Sequence, residues 1–167
     1  FNAETTLIFG GQIAGRPTGL FLIYPQGNHI AASSEAPHMK IGETKYGKPI
    51  LDRVITSETT LDDAALCGLV SVDSTMRSNA SVGPPVEIAT YRVDSFVLGN
   101  YLRLPEDDPC LLSIRQAWNF HINEAFNALP RLVWGPVNEK VQGDPQIRAI
   151  LSFPAVFAHS RRTLVRY

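Results

Sequence analysis

Hydroxyls, imidazoles and thiols are the reactive groups of this chain, and their spacing limits what they can do. The four histidines, His29, His38, His121 and His159, are scattered with no shared interval. They indicate neither a metal centre nor a histidine-based nucleophile and base pair. Cys67 and Cys110 both lie in apolar helical patterns, where a free thiol behaves as a small hydrophobe. They lack metal-ligand spacing, and two cysteines in a chain this long do not make a secreted disulfide scaffold; a reducing compartment fits better. Thr5-Thr6 precedes the apolar run Leu7-Ile8-Phe9, so on residue type it opens a strand. Arg77-Ser78-Asn79-Ala80-Ser81 gathers hydroxyls and an amide at the end of a helical pattern. Taken alone, Ser78, Asn79 and Ser81 satisfy backbone groups at a helix C-terminus and turn.

The elements around these groups begin as strands. Thr6 to Phe9 runs into Gly10-Gly11, and Gly19-Leu20-Phe21-Leu22-Ile23-Tyr24 is nearly continuous in apolar residues. Such a run predicts a strand buried on both faces. Pro25-Gln26-Gly27-Asn28 signals a turn before a short strand, His29-Ile30-Ala31-Ala32, completing an antiparallel meander. A short helix is predicted over residues 46–55, with apolar side chains at 50, 51, 54 and 55. A second starts at Thr60, whose hydroxyl and the Asp63 carboxylate resemble a capping box. Its stripe of Leu61, Ala64, Ala65, Gly68, Leu69, Val72 and Met76 repeats at helical spacing, with Arg77 near the negative end of the dipole. Gly83-Pro84-Pro85 ends that pattern, and residues 86–93 read as another strand. Asp108-Pro109 opens a third helix, as an N-cap followed by proline, with a stripe from Leu111 to Leu129.

Segregated strands and helices point to an α+β fold. The 167 residues suffice for one domain, and 44% hydrophobic with 19% charged residues is ordinary for a globular protein. A formal net charge of −1 gives no global attraction to nucleic acid or anionic membrane. The one basic cluster, Arg161, Arg162 and Arg166, reads as a solvated end. No apolar run approaches the ~18–20 residues needed to span a bilayer, and the opening at Phe1 has no signal-peptide pattern. Residues 135–167, punctuated by Pro136, Pro145 and Pro154, show no firm period and are taken as a tail of uncertain structure.

Four segments carry a family resemblance: Gly10-Gly11-Gln12-Ile13, residues 20–27, the string Ile41-Gly42-Glu43-Thr44-Lys45-Tyr46-Gly47-Lys48-Pro49-Ile50-Leu51-Asp52-Arg53, and residues 73–83. In this order they resemble proteasome-type peptidases, most closely the bacterial Anbu (ancestral β subunit) group. The Ile41 to Arg53 string is specific; the isolated glycines are not. The resemblance implies a four-layer αββα sandwich of the N-terminal nucleophile hydrolase type, here lacking its first strands and helices. Residues 1–134 would be the C-terminal portion of a β-subunit domain. It also implies peptide hydrolysis by an N-terminal threonine whose own α-amino group is the base. No cofactor or metal is implied. The implied partners are identical subunits in a ring or helical open ring and a peptide substrate, in the cytoplasm, without nucleic acid or membrane.

The nucleophile itself is expected to lie before Phe1. Lys40 follows Thr6 by 34 positions, close to the family's spacing. Against Thr6, residues 7–34 contain no Asp or Glu, and Lys40 directly precedes Ile41-Gly42, which the family places well after its catalytic lysine. Two accessory positions carry over. Ser81 fits the serine of the family's Arg-Asp-x-x-Ser-Gly turn, and Ser78 stands where its aspartate would be. Glu43 falls where standard subunits have a serine, as a pocket residue or an exposed turn glutamate, and Asp73 reads as a solvated helix-face residue. Two alternatives stay open: a non-catalytic ring subunit, and an amidohydrolase with a non-peptide substrate. A chain lacking half of its fold is expected to aggregate through faces such as residues 20–24.

Overall fold

The computed structural model describes residues 4–133, 135, 156–157 and 164–165. The chain forms two units, Phe1–Asn127 and Ala128–Tyr167. In the first, β1 (Leu7–Gly11), β2 (Gly19–Ile23) and β3 (His29–Ala31) form an antiparallel sheet in the order β1-β2-β3. Its register pairs Phe9 with Phe21, and Phe21 with Ala31. The β2–β3 turn uses Gly27 at φ +87, a left-handed conformation that costs glycine little. The apolar run of β2 is only half-buried along its length, and all five residues of β1 are exposed. Leu7, Phe9, Ile13 and Ile30 are exposed.

Three helices and a hairpin supply the packed part. α1 (Lys48–Val54) begins after Gly47 with proline in its first turn and has no buried residue. α2 (Leu61–Ser78) starts as the pattern predicts. The Thr60 hydroxyl oxygen accepts from the Asp63 backbone N–H at 3.1 Å and donates to the Asp63 carboxylate at 2.7 Å. α3 (Pro109–Asn127) is capped by Asp108, whose Oδ1 accepts from the backbone N–H groups of Cys110 and Leu111. Cys67 is buried, but Cys110 is exposed, contrary to the sequence pattern: the first turn of α3 sends Leu111 inward and leaves its neighbour in water.

A strand that the sequence reading did not contain, β5 (Leu98–Leu104), pairs antiparallel with β4 (Val86–Tyr91) from Val86↔Leu104 to Tyr91↔Leu98. Only its last residue, Leu104, is buried, so β5 lacks the inward alternation by which a strand is read. Asp94 and Phe96 hold φ of 61° and 52° in the turn between them. Leu69 of α2, Val86 and Leu104 of the hairpin and Leu111 of α3 form the buried core, with Val72, Met76, Ile88 and Ile114 against it. Burial of each such aliphatic side chain stabilises the fold by about 1.5–3 kcal/mol.

Polar ties add register. Arg115 Nε donates to Asp73 Oδ1 at 2.6 Å, and one turn along each helix Arg77 donates to Asn119. Asp73 is therefore a buried ion-pair partner rather than a solvated helix-face group. Gln12 links the two sheets. Its Nε2 donates to Arg16 O and Asp94 Oδ1, while Oε1 accepts from Tyr91 Oη–H and the Asp94 backbone N–H.

The second unit contains the paired strands β6 (Val156–Phe157) and β7 (Leu164–Val165). Pro136, Pro145, Pro154 and the cluster of Arg161, Arg162 and Arg166 lie outside the described residues. Among the described residues no helix is long and apolar enough to cross a membrane.

Candidate functional site

The segment before α1 folds back on α2, because two small residues one turn apart on that helix leave room for it. Ser71 and Thr75 are both buried, and Thr75 Oγ1–H donates to the Ser71 carbonyl at 2.8 Å. The Thr75 oxygen in turn accepts from Lys40 Nζ at 3.2 Å. Burial pushes the Lys40 amine below its usual value, and the Glu43 carboxylate nearby opposes part of that shift. Gly47 is buried at the same contact, where a β-carbon would stand 2.6 Å from the Ser71 carbonyl oxygen. The Ile41 to Arg53 string thus packs on α2 through a residue without a side chain.

Glu43 joins the next turn of α2. Its Oε1 accepts from the Lys45 backbone N–H at 3.0 Å, and Oε2 accepts from Asn79 Nδ2 at 3.1 Å. The Lys45 N–H leads in holding its pKa below the usual glutamate value; burial opposes, and Asn79, Lys45 and Lys40 add smaller downward effects. Asn79 Oδ1 then accepts from both the backbone N–H and the hydroxyl of Ser81, at 2.9 and 2.7 Å. Sequence reasoning divided Glu43 between a pocket and an exposed turn; the side chain is tied to α2 and half-buried.

The two predicted accessory serines sit on one turn. Ser78 is the last residue of α2 and exposed; Ser81 lies three positions on, in the side-chain turn made by Asn79. The Ser81 proton goes to an amide oxygen and the Thr75 proton to a peptide carbonyl. Neither acceptor is a general base, so neither hydroxyl is activated for attack. Thr6 stands half-buried just before β1. A separate polar group joins His38 Nε2 to Asp52 Oδ1 at 3.2 Å, with Lys48 Nζ on the same carboxylate at 2.6 Å. The Lys48 hydrogen bond leads in lowering the Asp52 pKa, and His38 adds to it. Among the described residues no group of three or more His, Cys, Asp or Glu side chains is placed to hold a metal ion.

The cluster of Lys40, Ser71 and Thr75 escaped sequence reasoning. Its one local signal was the pair of small hydroxyl residues four apart on α2, which marks a close approach without naming the approaching group.

No protein-family model matches the chain. No curated protein matches it either. Solved structures do. Anbu (ancestral beta-subunit) from Yersinia bercovieri is 47% identical, with a TM-score of 0.75 over 80% of this chain and 56% of that one. Anbu from Hyphomicrobium sp. strain MC1 is 43% identical, with a TM-score of 0.76 over 80% of this chain and 57% of that one. The helical assembly of the Anbu complex from Pseudomonas aeruginosa matches at 44% identity and a TM-score of 0.75, over 80% and 55%. The chain therefore spans a little over half the length of these relatives. Its open sheets and helices match the N-terminal-nucleophile-hydrolase-like architecture of those proteins. The chain belongs with the Anbu (ancestral β-subunit) proteins, homologous to them in both sequence and structure over the part it spans.

Proposed function

We propose that this chain is the C-terminal portion, residues 1–134 with a tail at 135–167, of a proteasome-like subunit involved in proteolysis, and that the attacking threonine lies outside it. The observation that carries this reading is 47% identity over 80% of the chain to a relative of which the chain spans 56%. In the whole subunit an N-terminal threonine hydroxyl would attack the peptide carbonyl, its proton passing to the threonine's own α-amino group. The role proposed for Ser81 and Ser78 is accessory: they shape the turn beside that amine and touch no substrate. Ser81 suits this because the Asn79 side chain fixes its position. Ser78 brings no negative charge, so any tuning of the amine falls to a carboxylate such as Glu43, itself hydrogen-bonded to Asn79.

Copies of the same subunit in a ring or helical open ring are the proposed partners, by analogy with the relative whose structure is a helical assembly. The proposed setting is the cytoplasm, with no nucleic-acid or membrane partner. One observation favours a second reading, a non-catalytic ring subunit: Ser78 stands where the family's turn has its aspartate and carries no charge to tune an amine.

The test is fragment complementation. The chain is expressed alone and together with the part of the Yersinia bercovieri relative that it does not span, and cleavage of a peptide library is followed by mass spectrometry. The chain alone is expected to cut nothing, and the complemented pair to cut. Cleavage by the chain alone, lost on Thr6→Ala, would overturn the placement of the nucleophile. A well-assembled pair that cuts nothing would establish the structural-subunit reading instead.

A further inference from the structure

Helix α1 is short, buries none of its residues, and leaves Ile50 and Val54 facing open space. On the other side of that space stand α2 and α3, and together they enclose an open cleft of about 780 Å³. Its apolar lining combines Ile50 and Val54 of α1, Leu66, Cys67 and Val70 of α2, and Trp118 among the α3 residues. Of these, Cys67 and Val70 are buried. The size lies in the ~300–1,000 Å³ range of small-molecule sites, and apolar walls with few polar groups are usual there.

Charge decides what the cleft fits. Glu58 and Asp63, in and just after the α1–α2 connection, line it and are exposed, and among the described residues no lysine, arginine or histidine does. The cleft between β1–β2 and the β4–β5 turn, about 670 Å³, has no charged lining residue among the described residues. A smaller cavity of about 220 Å³ beside Asp62 also sets a carboxylate against apolar walls, but it falls below the ~300–1,000 Å³ range of small-molecule sites, whereas the helical cleft has both the size and the carboxylates. The Asp63 carboxylate is oriented by the Thr60 hydroxyl at 2.7 Å, and the Trp118 ring offers a further surface that attracts cations. We infer that this cleft binds small amphiphilic amines, the apolar body against α1, α2 and α3 and the single ammonium at Glu58 and Asp63.

This inference is independent of the hydrolase reading, because binding is measured on the chain without any catalytic partner. The full chain, fused to a soluble carrier free of tryptophan, is titrated with n-octylamine, n-octanol and n-octanoate, following indole fluorescence. Octylamine is expected to bind saturably, octanol about fivefold more weakly, and octanoate more weakly still. Glu58→Gln, at an exposed position, should weaken octylamine about fivefold and leave octanol unchanged. Ala117→Phe, also at an exposed lining position, should abolish binding of both while the far-ultraviolet circular dichroism stays that of the parent. Equal affinity for octylamine and octanoate would overturn the inference, as would full binding by Ala117→Phe. Concentration-dependent dimerisation that Ala117→Phe abolishes, without octylamine binding, would assign the cleft to a second copy of the chain and overturn it as well.

Discussion

Replacing Gly47 by alanine tests whether the Ile41 to Arg53 string is held by close backbone approach. Gly47 has φ −95 and ψ −31, a conformation open to alanine, so backbone strain plays no part. Removing the extra freedom of glycine from the unfolded chain would, on its own, stabilise the protein by about 0.4–1 kcal/mol. Against that gain stands the Ser71 carbonyl oxygen, 2.6 Å from the new methyl carbon, with Lys40 Nζ and Ser71 Oγ also in collision. The lysine head can swing away; the carbonyl belongs to α2 and moves only with the helix. Forcing one methyl into such a contact costs about 1–3 kcal/mol, so the sign turns to destabilisation. In a protein of this size each kcal/mol corresponds to about 2–4 °C in Tm. The assay is urea and thermal unfolding of the carrier fusion by circular dichroism, for Gly47→Ala with and without Lys40→Ala. Lys40→Ala should restore only part of the loss, since the carbonyl contact remains. A Gly47→Ala protein as stable as the parent would refute the reasoning, and full rescue by Lys40→Ala would refute the part assigned to the carbonyl.

Two further outcomes follow from the charges. Arg115→Met leaves the Asp73 carboxylate, at 2% exposure, without its cation. The cost should be about 3 kcal/mol in urea melts, and Asp73→Leu in the same chain should return most of it. Little loss in the single variant would show that water reaches Asp73. Glu43 and Asp52 both have lowered pKa values in the folded chain, so the unfolded state binds more protons as the medium is acidified. Their stabilisation is complete above the unfolded values of 4.5 and 3.8 and is lost as pH falls through the folded ones. Glu43→Gln and Asp52→Asn should each flatten the acid limb of stability against pH, and an unchanged limb would contradict the assigned partners.

What could be read from the residues was local. Thr60 with Asp63, Asp108 with Pro109, and the stripes behind them specify α2 and α3, because a cap and a 3.6-residue period are written within a few positions. β5 was not legible: six of its seven residues face water, and only pairing with β4 makes them a strand. The apolar run of β2 on its own predicts burial on both faces; only the family resemblance, which implies a fold lacking its first strands and helices, pointed to an uncovered face at residues 20–24, and β2 is half-buried. Asp73 and Arg115 are 42 residues apart, beyond any local rule, so a buried carboxylate looked like a solvated one. The turn of Ser78 and Ser81 was visible from residue types. Its link through Asn79 to Glu43, and the seating of Lys40 on Thr75, required the tertiary fold.

The Gln12 amide makes the join between the two sheets intolerant of substitution. Both of its N–H hydrogens are accepted, by Arg16 O and Asp94 Oδ1, and its oxygen accepts two hydrogens, from Tyr91 and the Asp94 N–H, partners up to 82 residues away in sequence. Even the near-isosteric glutamate would fail there, because it would set a second carboxylate against Asp94 and a bare oxygen against the Arg16 carbonyl. The join between the β1–β2 connection and the β4–β5 hairpin thereby depends on the polarity of a single side chain.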